Sequence, residues 1–164
     1  MFCHYSGMVY SHARKEVQEK PMNDDFPRLI DRSLAYLYRR RKRYLTEHLR
    51  AYELSGTMHT FITFLHRHPG MSQDTLCSTF FVEKCTVSKR VKQMETLGYI
   101  RREVDENDRR QNKLYLTEKG EALVPVILKC LDDWSRQLTE GMDENDREAI
   151  LHAMQQMCEN SGKE

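Results

Sequence analysis

The feature that most constrains the fold is a change of apolar period at Gly98. Four apolar residues before it are spaced three and four positions apart, as on one helix face: Val87, Val91, Met94 and Leu97. After it, the runs 99–104 and 111–116 have strand-like composition and enclose the polar segment 105–110. Two such runs around a polar tip predict a β-hairpin directly after a helix.

A second, shorter helix is predicted before this one. Ser72 is a candidate N-cap for a helix over 73–79, with Leu76 facing inward. The segment 80–83 then forms a turn before the longer helix, which runs from 84 to about 97. A short helix, a tight turn and a longer helix form a helix-turn-helix. With the hairpin after it, the pattern predicts a winged helix-turn-helix over 51–117.

Helical patterns also precede this region. The first covers 25 to about 50, where apolar residues recur at steps of three and four. A second is expected to run to about Arg67, with Ser55 and Thr57 as side-chain caps at its start. Pro69 and Gly70 end it.

Two more helices are predicted after the hairpin. Thr117 is a ready N-cap for a helix to about Leu138, in which Pro125 marks a bend or a late start. Gly141 and Asp143 break and recap the chain before a last helix over about 144–158, whose apolar face is Ile150, Leu151, Met154 and Met157. The predicted fold class is therefore mainly α with a small β-hairpin wing (α+β).

Charge is distributed unevenly, although the net charge is only +1. Residues 28–50 hold eight Arg or Lys against two acidic residues, and 83–113 hold nine against six. Residues 131–164 hold three basic residues against nine acidic ones. Local potential decides where phosphate docks, so the basic middle is the candidate nucleic-acid side. The Arg39–Arg43 run (RRRKR) is interpreted either as a solvated face or as a phosphate contact.

The five cysteines are widely spaced and form no C-x-x-C pair, which indicates reduced thiols in a cytoplasmic protein. No apolar run approaches the about 20 residues that a membrane span needs. The segment 1–24 has no signal-peptide core and is expected to be a flexible tail.

The longer helix of the motif has a polar, basic face opposite its apolar one, formed by Lys84, Cys85, Ser88, Lys89 and Lys92. Hydroxyls and ammonium groups at a helix N-terminus suit base edges and phosphates in a major groove. An ordinary solvated amphipathic helix is the competing interpretation.

The hairpin tip carries Arg109 and Arg110 beside three acidic residues. On a wing, such an arginine can enter the adjacent minor groove, with Asp108 holding its guanidinium in place. In isolation, the same tip is a solvated turn whose charges compensate one another.

Three motifs together resemble one known family. They are the end of the longer helix (Met94–Ile100), the tip D-x-x-D-R-R (Asp105–Arg110) and L-T-x-K-G (Leu116–Gly120). With the stretch His68–Gln73, they are similar to the MarR family of bacterial regulators, over roughly Asp25 to the C-terminus.

The resemblance implies a homodimer on a pseudo-palindromic double-stranded DNA operator, with 25–50 and 118–164 as dimerisation helices. It matches Thr86, Ser88 and Lys89 to base- and phosphate-reading positions, and Arg110 with Asp108 to the minor-groove pair. Cys85 departs from the family pattern, which has a small residue such as Ser there, and a thiol is a weak hydrogen-bonding partner.

The effector is left open between a small aromatic ligand and cysteine oxidation. Cys85 is the redox candidate because a helix N-terminus and Lys84 both favour a thiolate; the alternative is an inert thiol. A ligand cleft would be lined by Tyr38, Met58, His59, Ile62 and Trp134, which are otherwise plain core or interface residues. The histidines match no metal site.

The function class follows from these motifs and from what is missing. No phosphate loop, G-x-S-x-G or H-E-x-x-H motif occurs, so an enzyme is not expected and no cofactor is predicted. The prediction is a DNA-binding transcriptional regulator, most simply a repressor. The alternative is a winged-helix protein-interaction module without DNA binding, which would use the acidic C-terminal third.

Overall fold

The computed structural model describes residues 25–55, 57–104 and 112–162, which are mainly helical with one small sheet. In chain order the helices are α1 (Phe26–His48), α2 (Met58–Arg67), α3 (Gln73–Phe80), α4 (Lys84–Thr96), α5 (Glu118–Leu138) and α6 (Glu144–Ser161). The strands are β1 (Met71–Ser72), β2 (Ile100–Val104) and β3 (Asn112–Leu116). A short 3-10 turn, Arg50–Tyr52, follows α1. The predicted fold class is confirmed.

The three strands form an antiparallel sheet in the order β1-β3-β2. Ile100 lies opposite Leu116, and Met71 lies opposite Leu114. The predicted hairpin of β2 and β3 is therefore present, and β3 is the central strand of the sheet. The strand β1 was not predicted, because two residues are too short for a period to show.

The chain divides into two units, one up to Arg40 and one from Arg41 onward. In the second unit, α2, α3, α4, the sheet and the first half of α5 share one hydrophobic core. Its completely buried side chains include Phe61, Ile62, Leu76, Met94 and Ile127. In the first unit, the described part of α1 leaves large apolar side chains exposed, with Leu29 at 51% and Tyr38 at 64%.

Helix starts follow the predicted caps at three of the four places. The hydroxyls of Ser72 and Thr117 accept from the backbone N–H three residues on, and the Asp143 carboxylate does the same for Asp146. The prediction for α2 was wrong, since Thr57 makes no capping bond. Its φ of −92° and ψ of 6° are far from the extended backbone of an N-cap. Ser55 instead donates to the Met58 sulfur at 3.7 Å.

Proline does not delay the start of α5. The helix begins at Glu118 and continues through Pro125 to Leu138, so a late start was the wrong alternative. The last helix is three residues longer than predicted, ending at Ser161, and none of its residues is buried. Within the described residues, no helix is long and apolar enough to cross a membrane.

Candidate DNA-binding surface

Helix α4 presents the two faces that its spacing predicts. Val87, Val91 and Met94 are completely buried against the core, and Leu97 is half-buried against it. On the outer side, Ser88 is half-buried and five residues are exposed: Lys84, Cys85, Thr86, Lys89 and Lys92. The polar face of α4 is therefore a solvent-facing surface held in place by a fully packed back.

Two polar contacts tie this face to α3. The Lys84 ammonium lies 2.8 Å from the Asp74 carboxylate, and this bond raises the pKa of Lys84 above its ordinary value. The Ser88 hydroxyl donates to the Gln73 side-chain oxygen at 3.1 Å. The charge of Lys84 is thus offset in the free protein, and the hydroxyl proton of Ser88 is already engaged. Sequence reasoning identified neither Gln73 nor Asp74 as part of this surface.

Lys89 and Lys92 differ from Lys84 in their surroundings. Both are exposed, and within the described part of the chain no carboxylate lies within ion-pair distance of either ammonium. An exposed ammonium without a counter-charge is free to neutralise a phosphate or donate to a base edge. These two lysines supply the uncompensated positive charge of the α4 face.

The thiol of Cys85 has an acidic neighbour. It is exposed and lies 3.4 Å from the Glu83 carboxylate, to which it donates. Lys84, the residue expected to favour a thiolate, instead pairs with Asp74. The other described cysteines, Cys77, Cys130 and Cys158, are also free thiols.

Arg90 holds the half-buried side of α4 in place. Its guanidinium donates to the Ser55 hydroxyl at 2.9 Å and to the Gln93 side-chain oxygen at 3.3 Å. The bond to Ser55 joins α4 to the segment before α2, 35 residues earlier in the chain. This contact fixes how α4 and its polar face are oriented on the core.

The turn between α3 and α4 has an unusual backbone. Phe81 has φ 50° and ψ 43°, the left-handed region, where a side chain costs about 1–2 kcal/mol relative to the right-handed helix. Its ring is 97% exposed. The residues on either side, Phe80 and Val82, pack against the core, so the turn is anchored on both sides of an outward-facing ring.

The L-T-x-K-G motif fastens the hairpin to the end of α4. Thr117 donates to the Gly98 carbonyl at 2.6 Å, and Lys119 donates to the Leu97 carbonyl at 2.8 Å. That ammonium also lies 4.8 Å from the centre of the Tyr99 ring. A cation at the carbonyl end of a helix complements its dipole. The motif therefore sets the angle between α4 and the hairpin.

Gly120 is required by a close approach in the same place. A β-carbon at this position would lie 2.1 Å from the Tyr99 carbonyl oxygen. Gly98 has a different role, because its φ of +74° allows the Tyr99 N–H to bond back to Met94 and end the helix. The two glycines thus explain why the chain can pass from helix to hairpin to helix so tightly.

Ion pairs involve the arginines of β2, the first strand of the hairpin. Arg102 lies 3.1 Å from the Glu95 carboxylate at the end of α4, and Arg101 pairs with Glu103. Arg101 also lies 4.7 Å above the Tyr115 ring. The predicted wing-tip residues Asp108, Arg109 and Arg110 lie outside the described residues.

The residues predicted to line a ligand cleft have mixed surroundings. Met58 and Ile62 are completely buried core residues. Trp134 is 7% exposed, and its ring lies 5.2 Å from that of Tyr44. His59 contacts the neighbouring Thr60 hydroxyl at 3.2 Å, and Tyr38 belongs to the first unit. The ligand cleft remains a prediction, and the described residues contain no cluster of metal-binding side chains.

Comparison with known proteins agrees with this geometry. A model of the MarR family matches residues 52–111, a range that contains α2, α3, α4 and β2 and ends directly before β3. The regulator TtmR of Methylorubrum extorquens is 29% identical over 151 residues, covering 88% of this chain and 74% of that protein. The regulator YybA of Bacillus subtilis is 24% identical over 110 residues, covering 65% of this chain and 73% of its own.

Solved structures share the fold over most of the chain. A crystal structure of MarR superposes with a TM-score of 0.76 at 27% identity, covering 87% of this chain and 95% of its own. A MarR transcriptional regulator from Methanosarcina mazei gives 0.77 at 29% identity, covering 82% and 96%. A family regulator from Listeria monocytogenes, crystallised with a 26mer DNA, gives 0.72 at 20% identity, covering 79% and 86%.

The fold, the α4 surface and these similarities identify a winged helix-turn-helix transcriptional regulator. The resemblance first suggested by three short motifs holds for the family model, the relatives and the structures. Residues 52–111 match the model of the MarR family, and the chain is similar to MarR regulators over most of its length.

Proposed function

We propose that this chain is a homodimeric repressor that binds a pseudo-palindromic operator, with α4 of each copy in a major groove. The observation that carries the proposal is the exposed face of α4, where Lys89 and Lys92 have no counter-charge among the described residues. A polar helix face with uncompensated cations, rigidly backed by a packed core, matches what a major groove accepts.

Within this face the residues have different tasks. Thr86 is exposed near the start of α4 and Lys89 follows one turn later, so both are assigned to base edges or nearby phosphates. Ser88 can still accept a hydrogen bond while it donates to Gln73. Lys84 is assigned to phosphate, which requires it to exchange Asp74 for DNA.

The wing supplies the second contact of each half-site. Arg109 and Arg110 follow Asp108 in the sequence between β2 and β3. We assign Arg110 to the minor groove beside the major groove read by α4, with Asp108 orienting its guanidinium. The support is the position of this segment in a hairpin that is fastened directly to the end of α4.

A second copy is assigned to the apolar surfaces of the first and last helices. In α6, Ile150, Leu151, Met154 and Met157 are between 37% and 59% exposed. Phe26, Leu29 and Leu34 on α1 are about half exposed. Two copies joined through such surfaces would present two α4 helices to half-sites about 34–36 Å apart.

The proposed signal is a small aromatic ligand or oxidation of Cys85. An exposed thiol on the groove-facing side of α4 would, once oxidised by a peroxide to a sulfenic acid, place a larger polar group against DNA. Ligand binding near His59 and Trp134 would act by shifting the spacing of the two α4 helices. Adding salicylate-like acids or peroxide to the protein–operator complex tests both signals.

The test of DNA binding is selection of bound duplexes from a random pool by the full-length chain. The expected result is an enriched inverted repeat, bound with an affinity that falls steeply with salt, by about 0.9 in log–log slope for each phosphate neutralised. Arg110→Ala should weaken operator binding without changing the molecular mass in sedimentation. No enrichment at low salt would favour the alternative, a winged-helix module that binds protein only.

A further inference from the structure

The exposed ring at the turn between α3 and α4 is not explained by the fold of the chain. Phe81 is 97% exposed and contributes nothing to the core. Its backbone is left-handed, with φ 50°, a conformation that glycine adopts without strain. Both the side chain and the backbone are thus unfavourable in the free protein, and the fold alone gives no reason for a phenylalanine at this position.

The turn holds the backbone that carries this ring in a fixed position. The N–H groups of Phe81 and Val82 both donate to the Cys77 carbonyl, the latter at 3.1 Å. On one side, the Phe80 ring packs 5.4 Å from the ring of Phe61 and 5.2 Å from that of Phe64. On the other side, Val82 packs against the core. The ring of Phe81 is therefore presented on a rigid support, not on a loose loop.

Its place along the chain narrows the choice of partner. Phe81 stands three residues before Lys84, the first residue of α4, and five before Thr86. Both of these residues are exposed at the end of α4 that the proposed function places in the major groove. If α4 enters the groove at this end, a side chain three residues before it lies close to the base edges, where the C5-methyl of thymine is the apolar feature.

We propose that Phe81 is a specificity-determining residue that packs on a thymine methyl group in each operator half-site. This inference rests on the proposed function, because it requires α4 to enter the groove. It adds an apolar contact to a surface whose other groups are hydroxyls, ammonium ions and the Cys85 thiol. Such a contact discriminates thymine from cytosine without any hydrogen bond.

The test combines Phe81→Gly with operators in which single thymines are replaced by deoxyuridine, which removes only the methyl group. One lost methyl contact corresponds to about fourfold in affinity per half-site, or about 15-fold for two. Wild-type protein should lose this factor at one symmetric thymine position. Phe81→Gly should bind the thymine operator about 15-fold more weakly and show no further loss with deoxyuridine at that position. Its affinity for random-sequence duplex should stay within twofold of wild type.

Glu53→Gly is the matched control. Glu53 is the other non-glycine residue with a left-handed backbone among those described, with φ 55°, and it is exposed. Both variants relieve the same kind of strain, so both should melt at or above the wild-type temperature. Only Phe81→Gly should lose operator affinity.

Several outcomes would overturn the inference. Unchanged operator affinity in Phe81→Gly would mean that the ring contacts a protein partner or nothing. Equal losses on operator and random DNA would mean that it touches the backbone, and a loss without coupling to any thymine would exclude the methyl contact. A changed dimerisation constant would assign the ring to a second copy. Failure of the wild-type protein to select any DNA would instead refute the proposed function.

Discussion

The winged-helix region and the last helix differ in how far their apolar side chains are buried. In α4, Val87, Val91 and Met94 are completely buried within a single chain. In α6, Ile150 and Leu151 are 40% and 59% exposed, and no residue of the helix is buried. Since both helices are regular and capped or anchored, the difference is not one of local structure. The core behind α4 is complete in one chain, whereas the exposed apolar face of α6 is where we propose that a second copy packs.

The largest expected effect is on the stability of the winged-helix region, whose core is complete in one chain. Gly120→Ala would force a β-carbon to within 2.1 Å of the Tyr99 carbonyl oxygen, so the hairpin and α5 must separate. We expect a loss of about 3 kcal/mol or more in the free energy of unfolding, measured by urea denaturation.

Gly162→Ala is the control for that experiment, because its nearest contact would be at 3.9 Å. It should change the free energy of unfolding by less than about 0.5 kcal/mol. If Gly120→Ala were as stable as this control, the close packing of α5 on the hairpin would be wrong.

The next effect tests the incomplete side. Leu151→Glu places a charge on the apolar face of α6, where a second copy is proposed to pack. We expect a monomer in sedimentation and a loss of about 100-fold in operator affinity, because two half-sites are no longer bound together. The helix content of the variant, measured by circular dichroism, should change little, since Leu151 is exposed in the single chain.

Gln156→Glu is the matched change on the opposite side of α6, at an exposed position. It should leave the dimer and its operator affinity intact. A dimer that persists in Leu151→Glu would show that α6 is not the interface and would break the comparison.

The smallest effect concerns the contact between α3 and α4. Asp74→Asn removes the counter-charge of Lys84, which leaves that ammonium free for phosphate. We expect operator affinity to rise about two- to fivefold. The log–log salt slope should steepen by about 0.9 for each added phosphate contact. Both quantities are read from fluorescence anisotropy at several salt concentrations.

Asp132→Asn removes the same charge from an exposed position on α5 and separates a local effect from a general one. Equal gains in the two variants would mean that net charge, not the release of Lys84, is responsible.

The same division shows what the sequence could predict. The bounds of α4, its buried face and the hairpin strands follow from spacing and turn residues that lie close together in the chain, and these predictions are confirmed. The contact of Arg90 with Ser55 joins residues 35 apart. No period or motif in the sequence predicts a contact over such a separation, because it depends on how α4 packs on the segment before α2.

Local rules also failed where the backbone departs from the expected geometry. Thr57 has the right side chain for an N-cap but not the extended backbone that the cap requires. Phe81 occupies a left-handed turn that sequence rules reserve for glycine or asparagine. The exposed ring at that turn could not be predicted, since a phenylalanine between two other apolar residues reads as part of the core.

The central claim is that the outer face of α4 reads DNA. Its most direct test is the affinity of Lys89→Ala for the selected operator, beside Lys129→Ala on α5, whose ammonium is paired with Asp133 at 2.9 Å. The account predicts at least about tenfold weaker operator binding for Lys89→Ala, wild-type stability for both variants, and unchanged binding for Lys129→Ala. Wild-type operator affinity in Lys89→Ala would contradict it.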